Sequence, residues 1–257
     1  MCTLLIAYQV HDAVPLVIAA NRDEFYKRPT QRLAFWDDHP DLLAGRDLEQ
    51  GGTWLGVSRH GRFAALTNFR DPAAVLEQAP SRGLLVRDYL AHHQSHDAFV
   101  QRLCAEGARY SGFNLIFGRL DALFYFSNQQ AGGVEPLTPG YHGLSNHLLN
   151  APWPKLRKGM DGLRRWQPGQ QGQVLFDLLA DSETFPDALL PRTGVPMAWE
   201  RLLSSLYIES PVYGSRVGSL LTWEKNGRLT LEERSYGNGD GPHEPRRFEL
   251  AVSLANM

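Results

Sequence analysis

Met1-Cys2-Thr3-Leu4-Leu5-Ile6-Ala7-Tyr8, followed by Val14-Pro15-Leu16-Val17-Ile18-Ala19-Ala20 running into Asn21-Arg22-Asp23-Glu24, is the stretch on which the fold turns. The first run is short, apolar and rich in strand formers. His11-Asp12-Ala13 is polar and supplies a turn, and the second run is apolar again. Paired antiparallel about that turn, the arms set Thr3 opposite the far end of the return arm and Cys2 beside Asn21-Arg22-Asp23-Glu24. A thiol, a guanidinium and two carboxylates at the end of a buried hairpin ask for more than packing, because charges are seldom buried without a partner.

Position gives Cys2 a second meaning. A Cys directly after the initiator Met becomes the first residue once that Met is removed. Its α-amine, with an ordinary pKa of roughly 7.7–8.0, then serves as base for its own thiol. A nearby Arg favours the thiolate, and Asp23 holds the ammonium form of the amine. The plain competing reading pairs Arg22 with Asp23 or Glu24 in a solvated loop and makes Cys2 a small hydrophobe.

The rest of the composition sets limits. With 257 residues, 43% hydrophobic and 21% charged, the chain has an ordinary globular balance and enough length for a sizeable core. A net charge of -2 gives no overall field for nucleic acid or an anionic membrane. Cys2 and Cys104 do not make a disulfide framework, so a reducing, cytoplasmic setting is expected. The N-terminus lacks the pattern of a signal peptide, and no apolar run is long enough for a transmembrane helix. Cys104 is expected in the core. His92, His93 and His96 share one predicted helix, with His92 and His96 four apart; a solvated face is expected there and no metal site.

Working outward, residues 25–52 read as irregular and polar, with Arg28-Pro29 and His39-Pro40 as breakers. A second hairpin runs from Thr53 to Asn68 about Arg59-His60-Gly61. Helices are predicted at 82–92, with Ser81 as N-cap, and from Ser95 or His96 onward, carrying Phe99, Val100 and Leu103. Strands at 112–117 and 122–126 precede a Gly/Pro-rich passage to Ser145-Asn146. Helical spacing returns at 154–166, 172–180 and 197–205. Strands follow at 216–224, 228–236 and 245–252, with Gly237-Asn238-Gly239-Asp240-Gly241 as a turn. Hairpins interleaved with helices indicate an α+β fold of two mainly antiparallel sheets between helical layers, in one domain spanning residues 1–257.

Four predicted strands end in polar blocks: Asn21-Arg22-Asp23-Glu24, Thr67-Asn68, Ser145-Asn146 and Tyr213-Gly214-Ser215-Arg216. The first, following a Met-Cys-Thr hairpin, resembles the signature of the NRDE family, also called the transport and Golgi organisation protein 2 family. Thr67-Asn68-Phe69-Arg70, Ser145-Asn146 before Pro152-Trp153-Pro154-Lys155, and Tyr213-Gly214-Ser215-Arg216 are similar to its later blocks. The resemblance spans nearly the whole chain. It implies the four-layer αββα sandwich of N-terminal nucleophile (Ntn) hydrolases, and a site similar to that of bile salt hydrolases and penicillin V acylases.

By that resemblance Cys2 would be the nucleophile, with Asp23 orienting the amine and Arg22 polarising the thiol. Asn68 and Asn146 would shape the oxyanion hole, and Arg216 would close the cluster. The family is also implicated in haem trafficking and in acyl-CoA or lipid homeostasis, which implies a large, amphipathic, anionic ligand. Asn21, Glu24, Arg28, Arg70 and Trp54 would contact it, within an Arg-rich and aromatic mouth that also includes Arg32, Arg46, Phe35 and Trp36. Two functions stay open at this point: a cytosolic protein handling haem or acyl-CoA, and a cysteine hydrolase of linear amides. Neither requires a cofactor, and haem would be cargo.

Overall fold

Apolar β-branched and aliphatic residues alternate between two faces in the opening hairpin, and both faces are buried. In a computed structural model, β1 (Cys2–Tyr8) is buried along its whole length, and so is β2 (Leu16–Phe25) up to Asp23. The structure describes residues 2–91, 94–238, 241 and 243–253. The remaining strands are β3 (Thr30–Phe35), β4 (Leu42–Asp47), β5 (Leu55–Ser58), β6 (Arg62–Asn68), β7 (Phe113–Arg119), β8 (Ala122–Ser127), β9 (Glu135–Pro136), β10 (Gly140–Leu144), β11 (Tyr213–Trp223), β12 (Arg228–Ser235) and β13 (Arg246–Ala251). The helices are α1 (Gly83–Leu90), α2 (His96–Glu106), α3 (Pro154–Arg165), α4 (Gln173–Leu179) and α5 (Met197–Leu202). No helix among the described residues is long and apolar enough to cross a membrane.

The chain forms two compact units, one from Met1–Lys27 with Thr138–Glu249, the other from Arg28–Leu137 with Leu250–Met257. The first holds a six-stranded sheet in the order β10-β1-β2-β11-β12-β13. Its helix-bearing face is apolar: Leu5, Ala7, Val17, Ala19 and Leu220 of the strands pack on Leu156 and Leu163 of α3 and Leu175, Phe176 and Leu179 of α4. Pro154 opens α3 at a position whose amide hydrogen has no helical partner to lose. Gly159 lets α3 approach β1 closely, since a Cβ there would stand 2.7 Å from Leu5 Cδ2.

The second unit holds a seven-stranded sheet in the order β3-β4-β5-β6-β7-β8-β9. Leu85, Val86, Tyr89 and Leu90 of α1 and Phe99 and Leu103 of α2 pack on Ala64, Leu66, Phe113, Leu115 and Phe117 of its strands. Ser95 caps α2 by accepting the Ala98 amide at 3.2 Å, as its spacing predicts. The expected cap at Ser81 is different: α1 starts after Arg82, with no side-chain cap.

Three expectations need correction. Residues 25–52 are not irregular, because β3 and β4 pair there, with Thr30 opposite Asp47 and Phe35 opposite Leu43. Cys104 is exposed on α2 and is no part of the core. His96 opens α2, its ring stacked on Phe117 and within 3.2 Å of the Tyr89 hydroxyl. Burial accordingly lowers its pKa, with Asp97 opposing and Arg62 reinforcing the shift, so the solvated face assigned to it does not hold. His92, His93, Gly239 and Asp240 lie outside the described residues.

Candidate functional site

The register of the first hairpin puts Cys2 directly across from Arg22 and Thr3 across from Asn21. Residues opposite one another in an antiparallel pair project to the same face. Cys2 and Arg22 therefore share one face, and Thr3 and Asn21 the other. Leu5 and Ala19, which continue the Thr3 and Asn21 rows, pack on the helices, so Cys2 lies on the helix-free face.

On the other side of β1, Leu4 pairs with Leu144 of β10. The ladder ends there, and Ser145-Asn146 follow it next to the start of β1. Side chains tie this corner together: Ser145 Oγ lies 3.3 Å from the Cys2 carbonyl, 3.2 Å from Asn146 Oδ1 and 3.4 Å from Thr3 Oγ1. Its single proton can serve either acceptor in turn. Asn146 is 1% exposed.

The fourth group arrives through β11. Asp23 pairs with Ser215 and Arg22 with Val217, so Arg216 is the extra residue of a β-bulge at this point. A bulge re-aims the side chain it carries and bends the strand. Cys2, Arg22, Asp23, Asn146 and Arg216 are thus gathered at one end of one sheet, and each is at least nine-tenths buried.

Asp23 and Asn21 face the helix layer. Ser215 Oγ donates to Asp23 Oδ1 at 2.7 Å and accepts the Ile208 amide at 3.0 Å. Asn21 Nδ2 donates to the Leu179 and Leu206 carbonyls at 2.8 and 2.9 Å, and Asn21 Oδ1 accepts the Tyr236 hydroxyl at 2.8 Å. These bonds make Asn21 a tie between β2, α4 and the end of β12. Both of its amide hydrogens are engaged with backbone. Glu24 is part-exposed and accepts the Phe25 amide at 2.9 Å.

Burial pushes the Cys2 pKa up; the positive charge of the chain's amino terminus and then the Arg22 guanidinium oppose it, while the charges of Asp23 and Glu24 reinforce it. A nucleophilic role therefore needs a group that takes the proton as the sulfur attacks.

The other expected residues belong to the second unit. Asn68 ends β6 opposite Phe113 of β7. Arg70 is buried, and the Trp54 indole lies over Gly45. Arg28 is already held by Asp47, at 2.6 and 3.0 Å from Nη2 and Nε, with Glu49 at 3.8 Å. Arg46 is likewise clamped by Asp38 and stacked 4.2 Å over Trp36. Arg28 and Arg46, both expected at an anion-binding mouth, thus make ion pairs within this unit. Among the described residues no cluster of His, Cys, Asp and Glu has the makings of a metal site.

Thr3, Ser145 and Ser215 stand inside the stretches singled out in the sequence, but nothing there assigned them a role. Tyr236 carried no signal at all.

A family model described as Transport and Golgi organisation 2 matches residues 1–238. The Homo sapiens Transport and Golgi organization protein 2 homolog is 35% identical over 260 residues, covering 94% of this chain and 94% of its own. The Drosophila melanogaster Transport and Golgi organization protein 2 is 28% identical over 253 residues, covering 89% and 88%. Among solved structures, a Caenorhabditis elegans N-acylethanolamine-hydrolyzing acid amidase ortholog aligns with a TM-score of 0.51 over 86% of this chain and 92% of its own. At 9% identity that likeness is one of fold, the α+β fold of the Ntn hydrolases.

Proposed function

The chain belongs to the Transport and Golgi organisation 2 family, and we propose that it handles a small amphipathic anion, haem or an acyl-CoA, at the Cys2 end of its six-stranded sheet. One observation carries the reading. Arg22 and Arg216, both at least nine-tenths buried, stand at the same strand ends as Cys2. The planar fork of a guanidinium suits carboxylate and phosphate, so two of them at these strand ends support an anionic ligand. We place this activity in the cytoplasm, in keeping with two free thiols, Cys2 and Cys104.

Titration of the purified protein with haem and with octanoyl-CoA tests it. Saturable binding of one of them is expected, weakened at least tenfold in Arg22→Gln, a charge-assisted contact being worth about 1.5–3 kcal/mol. Absence of saturable binding to both compounds would overturn it.

A second reading is supported by the Cys2–Arg22 pairing and by Asn146 alongside: a cysteine hydrolase of linear amides. Once the residue before Cys2 is removed, the freed amine would take the thiol proton while sulfur attacks the acyl carbon. Asn146 would donate to the oxygen that gains charge, and Asp23 would stabilise the ammonium form. The proton would pass to the departing amine, and water would then cleave the thioester. Intact mass establishes whether the amine is free. With it free, Cys2→Ala should abolish amide turnover and spare binding.

A further inference from the structure

On its β2 side Cys2 is held by the strand ladder, opposite Arg22. On its β10 side the ladder runs from Tyr8 to Leu4 and ends there, two residues short of Cys2. A hydroxyl takes over from it. Ser145 Oγ lies 3.3 Å from the Cys2 carbonyl oxygen and 3.2 Å from Asn146 Oδ1, with Thr3 Oγ1 at 3.4 Å. Thr3 and Ser145 are fully buried.

These contacts divide by chemistry. The Cys2 carbonyl and Asn146 Oδ1 only accept, so the Ser145 hydrogen goes to them, while the Thr3 hydroxyl can donate to Ser145 Oγ. A buried hydroxyl is costly unless it is bonded, and here its bonds run to the first two residues of β1 and to Asn146. An Asn side chain has one accepting end and one donating end. With Oδ1 held at Ser145, Nδ2 is the end turned from it. Stabilising an oxygen that gains charge requires that end, because a carbonyl oxygen in its place would repel the charge.

We propose that Ser145 is a positioning residue: its hydroxyl fixes Cys2 and Asn146 to one another and keeps the Asn146 amide hydrogens turned to the acyl oxygen. The inference rests on the hydrolase reading above and adds the group that sets the nucleophile against its oxyanion donor. Ser145 takes no part in the bond changes and acts through Asn146.

The test sets two reactions of the Cys2 sulfur against each other. Cys104 is exposed, so all variants carry Cys104→Ser and only Cys2 reports. With p-nitrophenyl acetate, sulfur attacks the acetyl carbon and its proton passes to the freed α-amine. The carbonyl oxygen gains charge, and nitrophenolate leaves with the electron pair of the broken C–O bond. With iodoacetamide, sulfur displaces iodide at a saturated carbon and no oxygen gains charge. Ser145→Ala should slow first-turnover nitrophenolate release about tenfold or more and leave alkylation at the parent rate. Ser145→Thr should restore acylation. In an Asn146→Ala chain, Ser145→Ala should add no further loss. Unchanged acylation, equal loss in both reactions, or losses that multiply in the double variant would overturn the inference and leave the hydrolase reading standing. Absence of acylation in the parent overturns both.

Discussion

Asn21-Arg22-Asp23-Glu24 reads as one polar block, yet its residues do two jobs because a strand alternates. Arg22 shares a face with Cys2, while Asn21 and Asp23 point the other way and fasten β2 to α4, to the segment after α5 and to β11. Replacing Asn21 by Ala removes three bonds and leaves two buried carbonyls and a tyrosine hydroxyl without their partner. The expected loss is about 2–4 kcal/mol, read from urea unfolding as a lower midpoint at unchanged slope. The hairpin made the Cys2–Arg22 pairing legible in the sequence. The work of Asn21 was not legible, because its acceptors are backbone carbonyls 158 and 185 residues away. Cys104 misled for a simpler reason: a free Cys is among the residue types most often buried, and this one is exposed.

Most elements announce themselves through period and punctuation: β5–β6 and β7–β8 by short polar turns, α2 by its Ser95 cap, α3 by Pro154. The β3–β4 hairpin did not. β3 is the outermost strand of its sheet, so its exposed side carries polar residues and the apolar alternation is weak. Pro29 and Pro40, read as breakers, stand just before β3 and in the turn between β3 and β4, where proline costs nothing. The bulge at Arg216 was equally hidden, being a property of pairing and not of composition. Contact between elements sets a further expectation. Gly→Ala inside a helix ordinarily stabilises, but at Gly159 the new methyl would stand 2.7 and 2.8 Å from the two Leu5 methyl carbons. Leu5 is fully buried and has little room to yield. Overpacking should win, with Gly159→Ala costing about 1–3 kcal/mol, and Leu5→Val in the same chain restoring part of it; thermal unfolding of the three variants checks this.

For the molecule as a whole, the decisive fact is that the first unit is stitched from both ends of the chain. β2 pairs with β11 across a separation of 192 residues at Asp23 and Ser215. In the second unit β7 and β8 join through a single tight turn. Long closures are entropically late, so refolding followed by pulsed amide exchange should protect Phe117 and Phe124 before Tyr26, whose amide donates to the Val212 carbonyl, with the overall rate in the slow range of about milliseconds to seconds. Simultaneous protection of all three amides would contradict that order. The α+β class and the two sheets were legible because hairpins are local. Which strands would meet in the six-stranded sheet was not, since that pairing is carried by residues far apart.

A ribosome has made Cys2 and Arg22 long before it reaches Arg216, and the thiol's final enclosure waits for that last contribution. Chains cut short by a premature stop upstream of β11 are therefore not weakened versions of this protein. They lack the second guanidinium, the serine that steadies Asp23 and the strand that shields them both, and would leave a nascent apolar hairpin in the hands of chaperones and proteases.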